Sequence, residues 1–193
     1  MAKTKWTADP VHSEIQFKVR HLMISTVTGY FKKFDIQVVT EEENFNSATK
    51  ILFTADVNSI ETNNAQRDTH LKSEDFFSAE KYPQIKFEGK KFDNISDEKY
   101  KLTGDLTIRD VTKTVSVDVD FGGIVKDPWG NIRAGYHVDG KISRKEFGLQ
   151  WNAVTEAGHV VVSDEIKLHC EVELVKQQVA EKSEEAMKEE VVA

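Results

Sequence analysis

The chain has 193 residues, and a hydrophobic content of 39% suits one domain with a substantial core. A net charge of −7, with lysines and arginines scattered, argues against a nucleic-acid surface and against an anionic membrane surface. Cys170 is the only cysteine, which excludes an internal disulfide framework. It alternates in phase with the apolar residues of its strand, which predicts a buried thiol in the core. There is no apolar signal region and no run of ~18 apolar residues, which predicts a cytoplasmic protein without a membrane span.

From residue 13 onwards, polar and apolar residues alternate in eight segments, which is typical of strands with one buried face. The segments are 13–21, 29–38, 51–57, 85–92, 102–108, 115–121, 136–142 and 162–174. The step from Phe31 to Phe34 breaks the period of two and predicts a bulge at Lys32–Lys33. Eight antiparallel strands with one apolar face can close into a barrel. A two-layer sandwich would give a similar pattern, and the barrel is the favoured interpretation.

The cap segment, residues 59–77, is the one long stretch that does not alternate like a strand. Its sequence, SIETNNAQRDTHLKSEDFF, predicts a short helical cap over one end of the barrel. Within it, Ser73 followed by two acidic residues resembles a helix N-cap and first turn. Phe76 and Phe77 are then expected to point at least one ring into the barrel end.

The residues that could carry chemistry form no recognised catalytic or metal-binding motif. The six histidines show no HxxxH or HExxH spacing, and no GxSxG, P-loop or dinucleotide fingerprint occurs, so no metal or cofactor is predicted. Arg67, Asp68 and His70 could bind a polar headgroup at the barrel mouth, or they could fasten the cap segment to the rim, which is favoured. His21 could end the lumen as a polar group or bond a nearby backbone carbonyl.

The interior of such a barrel is either filled by its own side chains or open to a ligand. Long strands and apolar inward positions favour a cavity. Gly29, Gly104 and Gly140 lie on the apolar parity, where the missing side chain leaves room for a guest or for a neighbouring backbone. Alternatively, the phenylalanine rings fill the interior, and the alternation by itself leaves both options open.

Short motifs in a fixed order cover about residues 6–175. They are Asp9-Pro10-x-His12-Ser13, Phe17-x-Val19-x-His21, Gly29-x-Phe31, Ser59-Ile60-x-Thr62, Arg67-Asp68-x-His70-Leu71, Asp75-Phe76-Phe77, Tyr82-Pro83-x-Ile85-x-Phe87, Gly104-x-Leu106-Thr107-Ile108, Arg144-x-x-Phe147-Gly148 and Val162-Ser163-Asp164-Glu165-Ile166. This set resembles the YceI-like family of polyisoprenoid-binding proteins. The resemblance implies an extended eight-stranded, lipocalin-like antiparallel barrel over residues 1–175 that holds an isoprenoid or another long amphiphile. Residues 176–193 form a polar tail, helical or disordered.

The resemblance also bears on partners and location. No catalytic residues are established for the fold, and some relatives are dimers, so a homodimer is one expected assembly. Many relatives carry a signal peptide and are periplasmic, so a periplasmic location is expected if such a peptide has been removed.

The resulting hypothesis is a non-enzymatic carrier or storage protein for a long-chain lipid, such as a polyisoprenoid, an isoprenoid quinone or a fatty-acid-like molecule. The expected lumen contacts are Ile15, Phe17, Val19, Phe31, Phe34, Phe53, Leu71, Phe76, Phe77, Phe87, Leu106, Ile108, Val117, Ile142, Phe147 and Leu168. Leu71, Phe76 and Phe77 would act as a lid, with His21, Arg67, Asp68 and His70 as headgroup candidates. One alternative is an enzyme that modifies such a lipid with His21, Arg67 and His70, and another is a stress-response scaffold with a solid core.

Overall fold

A computed structural model describes residues 3–48, 50–156, 158 and 160–177, and within them it contains eleven strand segments and one α-helix. The strands are β1 Lys3–Ala8, β2 Glu14–His21, β3 Ser25–Phe31, β4 Phe34–Glu41, β5 Lys50–Asp56, β6 Ile60–Glu61, β7 Gln84–Ser96, β8 Lys99–Ile108, β9 Val111–Lys126, β10 Ile132–Ser143 and β11 Val162–Lys176. The helix α1 spans Ala65–Lys72. Most of the predicted polar tail, residues 178–193, lies outside the described residues.

The strand segments join into a closed barrel of eight antiparallel strands, which confirms the predicted fold. β1 and β2 are consecutive parts of one long strand, since both pair with β11. β3 and β4 form the next strand, because β3 pairs with β2 and β4 pairs with β1. β5 and β6 continue in the same way along β4 and β3. β7 pairs with β5, and from β8 to β11 each strand pairs with its predecessor. β11 closes the ring against β1 and β2, which leaves few free strand edges.

Two interruptions bend the long strands. The first, between β3 and β4, falls at Lys32–Lys33, where the sequence predicts a bulge. There the N–H groups of Lys32 and Lys33 donate to the carbonyl and hydroxyl oxygens of Ser59, at 3.2 and 2.9 Å. The second lies between β1 and β2 at residues 9–13, which contain Pro10.

The first strand segment, β1, was not among the eight predicted strands. Its inward positions are Thr4 and Trp6, and a threonine at the first of them weakens the polar–apolar alternation. Trp6 is 0% exposed, and its indole Nε1–H donates to Thr40 Oγ1 at 3.1 Å. The buried indole is therefore packed and hydrogen-bonded where β1 meets β4.

The turn between β9 and β10 is organised by one carboxylate. Asp127 Oδ1 accepts hydrogen bonds from the N–H groups of Trp129 and Asn131, at 2.9 and 2.8 Å. Asp127 Oδ2 accepts from Arg133 Nε at 2.7 Å, and Arg133 also contacts Asp9 and Glu173. This network ties the predicted turn to the bend after β1.

The inward-facing glycines make room for the protein itself rather than for a guest. A Cβ on Gly29 would lie 2.2 Å from the ring of Phe17, and one on Gly140 would lie 2.6 Å from Val117. At Gly104 the nearest atom is the Glu88 carbonyl oxygen, at 2.3 Å. Of the two predicted uses, close approach of a neighbouring backbone is observed at Gly104, whereas at Gly29 and Gly140 the space is taken by side chains.

The cap segment contains the predicted helix, but at another position. Asn64 is the N-cap of α1, and its side chain accepts from Arg67 N at 2.8 Å. Ser73 is the C-cap, so the interpretation of Ser73 as an N-cap is wrong. Asn64 lies in an extended conformation and presents its side-chain oxygen to the first turn, so it caps the helix nine residues earlier.

In the described part of the chain, no helix has the length and apolar character needed to cross a membrane.

Candidate ligand-binding cavity

The interior of the barrel holds an apolar cavity of about 290 Å³. Its wall is formed by strands from around the whole barrel, and residues of the cap segment cover one end. Most of the predicted lumen residues line it, namely Ile15, Phe17, Val19, Phe31, Phe53, Leu71, Phe76, Phe77, Phe87, Leu106, Ile108, Val117, Ile142 and Leu168. The apolar lining follows from the alternation of the strands, which turns every second side chain inward. Ligand contact by these residues stays a prediction.

Two predicted lumen residues are not among the described residues that line the cavity. Phe147 is 1% exposed and packs in the core from a 3₁₀ turn, Lys145–Phe147, after β10. Phe34 shares the inward parity of Ile36 but is the first residue of β4, and it packs against the core next to the break at Lys32–Lys33. The parity of Phe34 therefore indicated a core position but not contact with the cavity, and Phe147 lies in a turn, where strand parity gives no direction.

Arg67 and Asp68 fasten helix α1 to Thr62, the residue that follows β6, and β6 is paired with barrel strand β3. Arg67 Nε donates to Thr62 Oγ1 at 2.7 Å, and its NH2 group donates to the Thr62 carbonyl at 2.6 Å. Asp68 Oδ1 accepts from the Thr62 N–H at 2.9 Å and from its hydroxyl at 2.6 Å. Neither residue is among the described lining of the cavity. This geometry matches the fastening role rather than headgroup binding.

His70 belongs to the same end of the barrel and packs between aromatic rings. Its Nε2 lies 2.7 Å from Asp75 Oδ2, and its ring makes edge contacts with Phe76 at 5.1 Å and Trp151 at 4.9 Å between centroids. Phe76 and Trp151 also contact each other, at 5.2 Å. Because Trp151 belongs to the loop between β10 and β11, these contacts join the cap segment to that loop.

His21 ends β2, and its backbone rather than its ring makes the hydrogen bonds that the structure shows there. The His21 carbonyl accepts from Ile24 N at 3.1 Å and from Ser25 Oγ at 3.4 Å. Neither His21 nor His70 is among the described residues that line the cavity. None of the four predicted headgroup candidates is therefore part of that described lining.

Arg144, to which the sequence assigned no role, lines the cavity at the capped end. It is 2% exposed, and its guanidinium donates to the carbonyls of Ser163, Leu149, Trp151 and Val162 at 2.9, 2.6, 2.7 and 3.2 Å. Burial lowers the pKa of Arg144, while the charge of Asp164 acts in the opposite direction. The sequence did contain a signal for this position. Arg144 continues the alternation of the inward-facing residues of β10 and is the charged residue among them.

Polar side chains also face the middle and far parts of the cavity. Tyr136 lies eight positions before Arg144, about 26 Å along the strand at ~3.3 Å per residue. Its Oη is buried and has no hydrogen-bond partner among the described groups, and burial raises the pKa of Tyr136 far above its usual range. Gln16 Oε1 is also buried without a described partner, but Gln16 lies on the outward parity of β2, and its Nε2 donates to Glu14 and Tyr30. Burial also raises the pKa of Cys170 to about 11, so this lining thiol is neutral at pH 7.

Known proteins share both the sequence and the architecture. A UPF0312 protein from Staphylococcus epidermidis is 38% identical over 173 residues, which cover 88% of this chain and 96% of that protein. The crystal structure of a Campylobacter jejuni YCEI protein is 35% identical with a TM-score of 0.71, covering 82% of this chain and 90% of that one. A polyisoprenoid binding domain from Saccharophagus degradans has a TM-score of 0.66 over 89% of this chain and 98% of its own, and at 12% identity it shows a shared fold alone. Because the YceI-like domain model matches residues 6–174, the chain belongs to the YceI-like family, as its motifs indicated.

Proposed function

We propose that the protein binds one long-chain amphiphile inside the barrel and thereby carries or stores it. The observation that carries the proposal is the apolar cavity, enclosed by a closed barrel and covered at one end by Leu71, Phe76 and Phe77. Each buried CH₂ contributes about 0.8 kcal/mol, so ten contribute about 8 kcal/mol. Association costs roughly 4–15 kcal/mol, so tight binding calls for a chain longer than about ten carbons.

The polar groups of the lining indicate what else the ligand carries. Tyr136 Oη is buried without a described partner, and an unpaired buried polar group costs roughly 1–3 kcal/mol. A hydroxyl or carbonyl oxygen on the ligand would pair with it. Arg144 already donates four hydrogen bonds to backbone carbonyls, so we assign it to holding the wall rather than the ligand. A polyisoprenoid alcohol, an isoprenoid quinone or a fatty-acid-like lipid fits this combination.

Binding is preferred to catalysis because of where the candidate catalytic groups lie. An enzyme acting on the lipid was expected to use His21, Arg67 and His70. Among the described residues, these three are not part of the cavity lining, and Arg67 is engaged with Thr62. The Saccharophagus relative is described as polyisoprenoid binding, which supports the choice of isoprenoid ligands as first candidates.

The test is organic extraction of protein purified under native conditions, followed by mass spectrometry of the extract. Leu168→Trp enlarges a side chain that lines the cavity and should reduce the extracted lipid several-fold. Lys167→Trp adds the same side chain to the outer face of β11 and should leave the lipid content unchanged. An empty wild-type barrel, together with no uptake of a fluorescent polyprenol, would refute the proposal. Equal lipid content in the two variants would place the lipid elsewhere.

A further inference from the structure

Four titratable side chains meet on the outer face of the barrel, on neighbouring strands. His137 and Asp139 belong to β10, and His169 and Glu171 belong to β11. In the register of this pair His137 is opposite Glu171, and Asp139 is opposite His169. Because successive side chains of a strand point to opposite faces, all four face away from the cavity. This group, called the outer cluster below, is therefore separate from the proposed lipid site.

The outer cluster is compact. His137 Nδ1 lies 2.8 Å from Glu171 Oε1, and His137 Nε2 lies 2.7 Å from Asp139 Oδ2. The other oxygen of Asp139 lies 2.9 Å from His169 Nδ1, and the two imidazole rings are 4.5 Å apart between centroids. One donor atom each from His137, His169 and Glu171 lie within 4.8 Å of one another. Three potential metal ligands thus converge on one point.

Two imidazoles and one carboxylate form a donor set that zinc uses in proteins. With metal–ligand distances of about 2.0–2.2 Å, tetrahedral donor atoms lie about 3.3 Å apart. The donors of the outer cluster need to close by at most about 1.5 Å, which partly exposed side chains can do by rotation. Asp139 contacts both imidazoles and would orient both rings, as carboxylates behind histidine ligands commonly do.

The surface beside the outer cluster is concave, which leaves room for a fourth ligand. An indentation of about 290 Å³ is lined by His137 and Glu171 together with His12, Gly122 and Gly135. A Cβ on Gly135 would meet no heavy atom within 4 Å, so the glycine keeps this space open. A water molecule or an exchangeable ligand could therefore complete the coordination sphere from this side.

We propose that the outer cluster binds a divalent transition-metal ion of the zinc class, with His137, His169 and Glu171 as ligands and Asp139 as a positioning residue. The sequence contains no local motif for such a site because its histidines come from different strands and meet only through the register of β10 and β11. The alternative is a set of exposed ion pairs that contribute little to stability and bind no metal.

The experiment uses the full chain without a histidine tag. Zinc is titrated calorimetrically, and Co²⁺ is added as a probe whose visible absorption reports tetrahedral coordination. We expect one metal per chain. His169→Gln and Glu171→Gln should each weaken binding at least tenfold, and Asp139→Asn should weaken it about 10–100-fold.

Two controls separate this site from other imidazoles. His21→Gln removes a histidine at the end of β2 and should leave the affinity unchanged. His12→Gln tests the neighbouring group of Asp9, His12 and Glu173, whose donor atoms also converge. Metal binding that persists in His169→Gln and disappears in His12→Gln would overturn the assignment. Absence of Zn²⁺ binding in the wild-type protein up to 100-fold molar excess would overturn the site itself.

Discussion

Replacing Arg144 by methionine tests whether the capped end of the barrel depends on one buried cation. In the wild-type protein the guanidinium donates to four carbonyls, those of Leu149, Trp151, Val162 and Ser163. Leu149 and Trp151 belong to the chain that connects β10 to β11, and Val162 and Ser163 are the first two residues of β11. Methionine keeps a long apolar side chain but donates no hydrogen bond, so the four carbonyls lose their donor at once.

The magnitude follows from the number and the kind of these bonds. A hydrogen bond to a charged group contributes roughly 1.5–3 kcal/mol, so four give an upper bound of about 6–12 kcal/mol. The loop carbonyls can regain water, and the burial penalty of the charge disappears with the arginine. Both effects reduce the net loss to about 3–5 kcal/mol. For a domain of this size that corresponds to a fall in Tm of about 6–20 °C.

Urea unfolding and differential scanning calorimetry measure the loss directly. Arg20→Met serves as the control, because Arg20 is an exposed arginine that donates to one carbonyl, that of Met23, at 2.6 Å. The control should lose less than about 1 kcal/mol, as exposed contacts do. If Arg144→Met loses no more than the control, the four-carbonyl network is not what holds the loop. Because the loop also supplies Trp151 to the cap segment, lipid retention should fall together with stability.

Further predictions concern three other parts of the barrel. Gly104→Ala should cost about 1–3 kcal/mol in urea unfolding, because its Cβ would meet the Glu88 carbonyl, whereas Gly135→Ala has open space and should change stability by less than about 1 kcal/mol. Burial alone would raise the pKa of Asp127, but the hydrogen bonds from Arg133, Asn131 and Trp129 outweigh burial and lower this pKa below the ordinary 3.8. The resulting stability is therefore present above pH 3.8 and lost as the pH falls further, and Asp127→Asn should abolish that acid-dependent component of the unfolding curve. Phe77→Asp should reduce the extracted lipid while leaving amide chemical shifts at the uncapped end unchanged, and undiminished lipid content would contradict a lid role.

Much of the fold could be predicted from the sequence because strand alternation is a local signal. Period-two patterns marked the eight strands, and the skipped step between Phe31 and Phe34 marked the break between β3 and β4. The first strand segment escaped detection because Thr4 occupies an inward position where an apolar residue is usual. The helix start was misassigned because Ser73 and Asn64 are both competent caps, and only the three-dimensional course of the cap segment distinguishes them.

The sequence predicted which strand residues face the barrel interior, but not which of them line the cavity or which groups the polar residues bond. Parity indicated which strand residues face inward, yet Phe34 packs against the core and is not among the described residues that line the cavity. Phe147 comes from a 3₁₀ turn, to which strand parity does not apply. The sequence favoured a fastening role for Arg67 but did not identify its partner, since nothing in the spacing of Thr62 and Arg67 predicts their hydrogen bond. Arg144 was visible as a charge on an inward row. Two of its four carbonyl partners, those of Leu149 and Trp151, come from a loop whose path has no sequence signature, and the other two begin β11.

The strand pair β10–β11 shows why the lipid proposal and the metal proposal can be tested independently. Inward residues such as Val138 of β10 and Leu168 of β11 line the cavity. The outward residues that alternate with them along the two strands form the outer cluster. A shift of β10 by one residue would exchange the two sets and bring His137 and Asp139 into an apolar interior, where their charges would be desolvated. Closure of the ring opposes such a shift, because both strands are paired on either side. Substitutions on opposite faces of this one ladder therefore probe separate chemistry, and the failure of one proposal leaves the other standing.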